Sequence, residues 1–200
     1  MSLPRRYYVD EAHYAAELER FFFARWFYAG RESEIPGRGD YVLREAGDES
    51  LIVTRPDDGR LRAFYNVCRH RGTRLCETPA GSFGGAIRCP YHAWAYDLSG
   101  RLLAAPTMDQ APHFRAEDHP LIEARVDTWE GHVFLSLADD PPPLADGLGV
   151  LVEKFRPWKM AEMELAERIA YDVDANWKLI IQNYSECLHC PGVHPALQRL

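Results

Sequence analysis

Hydrophobic and polar positions follow two different rhythms along this chain. Near the N-terminus Tyr14, Leu18, Phe21 and Phe22 recur at helical spacing behind Asp10, a residue suited to capping. They predict a helix whose single apolar stripe lies on a core. From Trp26 to Leu137 the runs shorten and become β-rich, separated by turn chemistry. "SLIVTR" leads through the turn "PDDG" into "RLRAFYNV", in which Leu61, Ala63, Tyr65 and Val67 alternate with Arg62, Phe64 and Asn66. "AWAYD", the turn "DLSG" and "RLLAAP" repeat the arrangement, and "ARVDTWEGHVFLSL" adds a further strand or pair of strands. Residues 26–137 are therefore expected to be mostly antiparallel β.

The three prolines of "ADDPPPLADG" cannot continue a central strand, so that segment reads as a linker. Behind it the pattern predicts a helix over "GLGVLVEKFRPW" and a strand over "ELAERIAYDVD". A last helix should run from its cap Asp174 through "ANWKLIIQNYSECLHC" to a stop at Pro191. The expected fold class is α+β in three parts: a helical segment over residues 1–25, an all-β domain over 26–140, and the start of an α+β domain over 141–200.

Composition narrows the function. The chain has 200 residues, 46% hydrophobic and 12% aromatic, enough for one full domain and part of another. A net charge of −7 without a Lys/Arg run argues against a nucleic-acid partner, because such binding draws most of its affinity from neutralising phosphates. The basic residues of "MSLPRRYYVDEAHY" have no apolar stretch behind them, and "FFFARWFYAG" is broken by Arg25. Neither a signal peptide nor a membrane span is expected. Five cysteines, an odd number, argue against a secreted disulfide framework and for a cytoplasmic chain whose thiols can bind metal.

Two stretches then carry the chemistry, "NVCRHRGTRLC" and "RCPYHAWAYD". Cys68-x-His70 and Cys89-x-x-His92 each place one thiolate and one imidazole in turn-like sequence, with Gly72 after the first pair and Pro90 inside the second. Four such ligands could hold a structural zinc ion. Zinc pairs usually group like ligands, however, and the mixed pairing suits a two-iron cluster with both cysteines on one iron and both histidines on the other. "CRHRG" and "CPYHAW" resemble the Rieske domain of the Rieske non-haem iron oxygenases.

That resemblance implies a [2Fe-2S] cluster on Cys68, His70, Cys89 and His92, easier to reduce than an all-cysteine centre because neutral imidazoles replace two thiolates. Tyr91 stands where the respiratory type carries a disulfide cysteine, so Cys76 is expected to act as a buried small hydrophobe. Arg69 and Arg71 flank the cluster and could stabilise its charge or dock an acidic electron donor. Trp94 and Tyr96, on one face of the following strand, would shield it from water.

Further along, Glu186 and His189 are three residues apart and are expected to share a helix face with Gln182, while Trp177, Ile180, Ile181, Tyr184 and Leu188 face a core. Pro191 and Gly192 should break the helix and swing His194 towards His189. In "NWKLIIQNYSECLHCPGVHP" this resembles the catalytic-domain signature of the same oxygenases, N-W-K followed by acid-x-x-His-x₄-His. The resemblance implies a helix-grip domain holding mononuclear Fe(II) on His189 and His194, a third carboxylate ligand further along than "PALQRL", and open positions for O₂. It assigns Glu186 as a bridging acid, hydrogen-bonded to His189 and, across a subunit boundary, to His92. Glutamate there, within "ECLHC", resembles the branch acting on carnitine, choline and glycine betaine. Gln182, Tyr184 and Leu188 depart from that branch's pattern and leave an aromatic substrate open. Cys187 and Cys190, at a helix C-terminus where the dipole does not lower a thiol pKa, are expected to pack around the iron.

The resemblance as a whole implies the N-terminal portion of an oxygenase α subunit, assembled as a homotrimer. It would draw electrons from an NAD(P)H-dependent flavin and iron–sulfur reductase and use O₂ to hydroxylate or oxidatively demethylate a small organic substrate. Uncovered apolar surface is expected over residues 141–200. The alternative is a Rieske electron carrier without chemistry of its own, which has no reason to contain "NWK…ECLHCPGVH".

Overall fold

A computed structural model describes residues 3–186 and 188–196 of the chain. Its elements begin with the helices α1 (Arg6–Val9) and α2 (Glu11–Glu17) and a π-helical turn (Leu18–Phe22). Strands β1 (Phe27–Arg31), β2 (Asp40–Ala46), β3 (Glu49–Thr54), β4 (Arg62–Tyr65) and β5 (Ala80–Ser82) follow. Then come β6 (Ala86–Arg88), β7 (Ala95–Asp97), β8 (Leu102–Ala104), β9 (Glu123–Trp129) and β10 (His132–Ser136). Helices α3 (Leu144–Leu148), α4 (Leu151–Phe155), α5 (Trp177–Tyr184) and α6 (Cys190–Val193) complete the chain. Leu18–Ala166 gather into one unit; Met1–Glu17 and Glu167–Leu200 gather into the other.

The larger unit is the expected antiparallel β structure. Seven strands form one sheet in the order β1-β10-β9-β4-β3-β2-β5, and β6-β7-β8 form a second. "PDDG" makes its turn with Gly59 N–H donating to Pro56 O at 3.1 Å, and it joins β3 to β4. "ARVDTWEGHVFLSL" becomes the hairpin β9–β10, with left-handed Glu130 and Gly131 at its tip. The middle strands are covered on both faces. Ile52 and Phe64 enter one core with Tyr41, Ile87, Trp94 and Tyr96, whereas Leu51, Val53 and Ala63 enter another with Val42, Val133 and Leu135. A sheet packed on two sides needs apolar residues at consecutive positions, which is why the Phe64 face of "RLRAFYNV" is as buried as the Ala63 face.

The turn between β7 and β8 ties the two sheets together. Asp97 accepts from Ser99 N–H and Ser99 Oγ at 2.9 and 2.7 Å and from Arg101 N–H and Nε at 3.0 and 2.8 Å. Burial pushes this carboxyl up, but those bonds outweigh it and hold Asp97 below the usual aspartate value. Gly100 follows in the left-handed region (φ +85°), where a side chain would put Cβ 2.5 Å from the Phe64 ring.

The helical expectations need correction in several places. Asp10 does cap, accepting from His13 N–H at 3.0 Å, but the helix widens into a π-turn at Leu18. Leu18 and Phe22 are half-buried, whereas Tyr14 and Phe21 are exposed rather than laid on a core. The linker ends at Pro143, since "LADG" lies in α3, and the helix expected over "GLGVLVEKFRPW" splits at Gly149. "ELAERIAYDVD" forms no strand: among the described residues no strand of either sheet pairs with it, and Ile169, Tyr171 and Val173 are exposed. An apolar–polar alternation supplies a strand's faces but not the neighbour that satisfies its backbone.

The second unit is held by polar contacts from the "NWK" triplet. Asn176, not Asp174, caps α5 by accepting from Lys178 N–H at 3.1 Å, and its Nδ2 donates to Tyr8 O at 3.2 Å. Trp177 Nε1 and Lys178 Nζ both donate to the Glu17 carboxylate, at 2.9 and 2.6 Å. Gln182 turns to the Tyr8 hydroxyl (2.9 Å) instead of sharing a face with Glu186. α5 ends at Tyr184, so Glu186 and His189 lie beyond it, and Pro191 and Gly192 sit inside α6 rather than breaking a helix. The proline there is tolerated because the first helical turn has no intrahelical acceptor for its missing N–H. Ile180, Ile181, Tyr184 and Leu188 are exposed, which corrects their expected core-facing role; among the described residues nothing covers them.

Replacing Gly100 by alanine should destabilise the protein by about 2–4 kcal/mol through φ strain and overpacking on Phe64. Urea denaturation measures this, and a loss below about 0.5 kcal/mol would show that Phe64 yields freely.

Candidate metal centres

Both Cys/His pairs sit on loops of one design. In the first, Cys68 N–H donates to Thr73 O at 2.8 Å and Gly72 N–H to Cys68 O at 2.9 Å. In the second, Cys89 N–H donates to Trp94 O at 2.8 Å and Ala93 N–H to Cys89 O at 3.2 Å. Each loop therefore closes five residues after its cysteine, with a left-handed residue one position earlier, Gly72 at φ 71° and Ala93 at φ 58°. Asn66 fastens the first loop from below. Its Oδ1 accepts from Leu75 and Cys76 N–H at 2.9 and 3.0 Å, and its Nδ2 donates to Cys76 O at 2.7 Å and Ser50 Oγ at 3.2 Å.

The loops bring like donors together. Cys68 and Cys89 are buried within hydrogen-bonding reach of one another, and the rings of His70 and His92 lie 4.7 Å apart at 69°. Burial pushes the Cys89 thiol up and, with His92 and Arg71 beside it, pulls the His70 imidazole down. His70 Nδ1 is buried without a hydrogen-bond partner. Trp94 stacks on His70 (4.8 Å, 8°), Tyr91 lies over His92 (3.8 Å), and the Tyr96 hydroxyl reaches Cys68 Sγ at 3.4 Å.

Beyond α5 the chain builds a second group. His189 Nδ1 bonds Glu186 Oε1 at 2.6 Å, and Glu186 Oε2 accepts from Leu188 N–H at 2.5 Å. These two bonds hold the Glu186 carboxyl below its ordinary value, the histidine contact being the larger influence. The His194 ring lies 5.5 Å from that of His189, at 79°. Both rings and Glu186 line an open cavity of about 600 Å³, shared with Tyr184 and Val193. Cys190 is buried beside them, while Cys187 lies outside the described residues.

Comparison with known proteins bears on both groups. The Rieske [2Fe-2S] domain matches residues 25–116, and the catalytic domain of the ring hydroxylating alpha subunit matches residues 160–200. The chain belongs to the Rieske oxygenase family. It is 41% identical over 196 residues to the glycine betaine monooxygenase oxygenase subunit of Chromohalobacter salexigens, covering 98% of this chain and 44% of that one. It is 41% identical over 197 residues to the biphenyl 2,3-dioxygenase subunit alpha of Rhodococcus jostii, covering 95% and 42%. A crystal structure of a quaternary ammonium Rieske monooxygenase with its substrate L-carnitine superimposes with TM-score 0.93 at 32% identity, over 99% of this chain and 56% of that one. The chain thus spans about half the length of the relatives it matches. Among the described residues no helix is long and apolar enough to cross a membrane.

The Rieske domain indicates a [2Fe-2S] cluster and the catalytic domain a mononuclear iron, and the donor geometry fits both. An imidazole centre lies about 3.2 Å from a metal that its nitrogen binds at about 2.1 Å. Ring centres at 4.7 Å for His70 and His92 and at 5.5 Å for His189 and His194 are therefore within reach of one ion each. A metal bond would satisfy the unpaired His70 Nδ1, whose desolvation otherwise costs about 1–3 kcal/mol. Among the described residues no three Cys, His, Asp or Glu groups converge on one point.

The hydrogen bonds of Asn66 and the strain at Ala93 were not foreseen. Asn66 stands in "YNVC" without a motif to mark it, whereas the Ala93 conformation is legible once the loops are aligned and Gly72 is found at the matching place. Replacing Ala93 by glycine should stabilise the Rieske domain by about 1 kcal/mol, since a left-handed residue with a Cβ carries roughly that cost. A thermal midpoint unchanged or lowered would show that Ala93 is not strained.

Proposed function

We propose that this chain supplies the electron-carrying domain (residues 26–140), the preceding helical segment (1–25) and the beginning of the catalytic domain (141–200) of a Rieske oxygenase α subunit. In this reading Cys68, His70, Cys89 and His92 hold the [2Fe-2S] cluster, and His189 and His194 hold Fe(II). The observation that carries it is the Glu186–His189 bond of 2.6 Å beside His194, which an electron carrier would not need. Bound on these residues, the cluster would supply one-electron transfer and the mononuclear iron O₂ activation, for hydroxylation or oxidative demethylation of a small organic substrate.

The residues have distinct tasks. Glu186 fixes the His189 ring through Nδ1 and so would leave Nε2 free to hold an iron. Each carboxylate oxygen accepts more than one bond, so the bonds to His189 and Leu188 leave Glu186 able to meet His92 of a neighbouring copy, as a homotrimer would require. Trp94 and Tyr96, both almost fully buried, keep water from the ligands. Arg69 and Arg71 are exposed beside the cluster loop, placed to dock the acidic face of an NAD(P)H-dependent flavin and iron–sulfur reductase. The compartment is the cytoplasm.

A quaternary ammonium compound is the favoured substrate. Its support is the glycine betaine relative, the structural match to the carnitine enzyme, and Glu186 within "ECLHC". The biphenyl relative makes an aromatic ring the alternative. Incubating the holoenzyme and its reductase with glycine betaine, L-carnitine and biphenyl separates them: demethylated or hydroxylated betaine or carnitine is expected, and product from biphenyl alone would reverse the assignment. Glu186→Ala should lower turnover about 10–100-fold, the usual effect of removing a partner that orients a metal ligand. The cluster's visible spectrum should stay unchanged, and undiminished turnover would remove Glu186 from this role.

A further inference from the structure

No proposed metal ligand lies in α1 or α2, yet both helices grip the one that leads to the iron site. Among the described residues α5 contributes to neither buried core. Polar ties hold it to α1 and α2 within the same unit. At its start Asn176 Nδ2 donates to Tyr8 O at 3.2 Å, and one carboxylate, that of Glu17, serves the next two residues. Its Oε2 accepts from Trp177 Nε1 at 2.9 Å and from Lys178 Nζ at 2.7 Å, while Oε1 accepts from Lys178 Nζ at 2.6 Å. Towards the other end Gln182 Nε2 donates to the Tyr8 hydroxyl at 2.9 Å. Ser185 N–H then closes the helix on Ile181 O at 2.9 Å, and Glu186 with its bond to His189 follows directly.

The Glu17–Lys178 pair is mostly buried, the two side chains being 14% and 11% exposed. Burial pushes the Glu17 carboxyl up, but the bonds from Lys178 and Trp177 outweigh it and hold the group below its ordinary value. Lys178 sits in the first turn of α5, where the helix dipole disfavours a cation. Without an opposing carboxylate the ammonium would be a buried, unpaired charge and would have to leave, taking the first turn with it. The last turn meanwhile supplies Asn183 and Tyr184 to the cavity that Glu186, His189 and His194 line. A rigid helix of eight residues carries a shift at its start to that wall.

We propose that Glu17 is a positioning residue for the mononuclear iron. By pairing with Lys178 and Trp177 it fixes α5, and through α5 the turn of Glu186 and His189, so the affinity of the His189–His194 site for metal depends on it. Cys68, His70, Cys89 and His92 lie in the other unit, and the cluster should load without Glu17.

The inference rests on the iron reading, and the test separates the two. Full-length oxygenase is freed of mononuclear iron with a chelator and dialysed against Co(II), which elemental analysis distinguishes from the iron of the cluster. Glu17→Gln is expected to weaken Co(II) binding about tenfold, the lower end of the effect of removing a group that orients a metal ligand. The visible absorption of the cluster should stay as it is. Adding Lys178→Met to that variant removes the unpaired ammonium and should recover affinity to within about threefold of the unaltered protein. Glu11→Gln, at an exposed acid on α2, should change neither readout. If Glu17→Gln does not fold, Glu17→Asp, whose carboxylate reaches one methylene less far, is expected to weaken binding about threefold. Unchanged Co(II) affinity in a folded Glu17 variant, a double variant that binds no tighter than Glu17→Gln, or loss of the cluster together with Co(II) binding would overturn the proposal. An unaltered protein that keeps its cluster but takes up no Co(II) would overturn the iron reading beneath it.

Discussion

The organising constraint is that two short loops must each hold one sulfur and one imidazole so that sulfurs meet sulfurs and imidazoles meet imidazoles. A pair of backbone hydrogen bonds closes each loop, from the cysteine N–H to the residue five positions on and from the fourth residue back to the cysteine carbonyl. The first loop follows β4, where Ala63 and Phe64 are buried on opposite faces, and the second joins β6 to β7, where Ile87, Ala95 and Tyr96 are buried. Asn66 and the Asp97 turn fasten that base, and Gly100 lets the second hairpin close against Phe64. The donor set therefore depends on packing several residues away.

The β domain was readable because its signals are local. Turn chemistry at "PDDG" and "DLSG", alternation within each run, and the two Cys/His spacings all act within a dozen residues. What the sequence could not display were contacts between distant segments, such as Asn66 to Ser50 across the larger sheet and Tyr96 on β7 to Cys68 in the loop after β4. Those depend on register, which a pattern of apolar residues constrains without naming the partners.

The helical regions were harder to read because their apolar residues signal burial without saying what they lie against. The spacing of Glu186 and His189 suited a helix face, yet Ser185 ends α5 and the bond between them forms in the turn that follows. The pairing survived a wrong local structure since a separation of three residues allows contact in a turn as well as in a helix. In the same way "NWK" was recognised by resemblance alone. Its physical content is that Asn176, Trp177 and Lys178 reach back to Tyr8 and Glu17 at the other end of the sequence. Where "ELAERIAYDVD" reads as a strand, the missing element is a neighbour to pair with.

The central claim is that the four loop ligands bind two irons bridged by sulfide. Iron, zinc and acid-labile sulfide determined together on freshly purified, anaerobically handled protein test it most directly. The account predicts about two irons and two sulfides at these loops for each chain. One zinc per chain with no sulfide would contradict it.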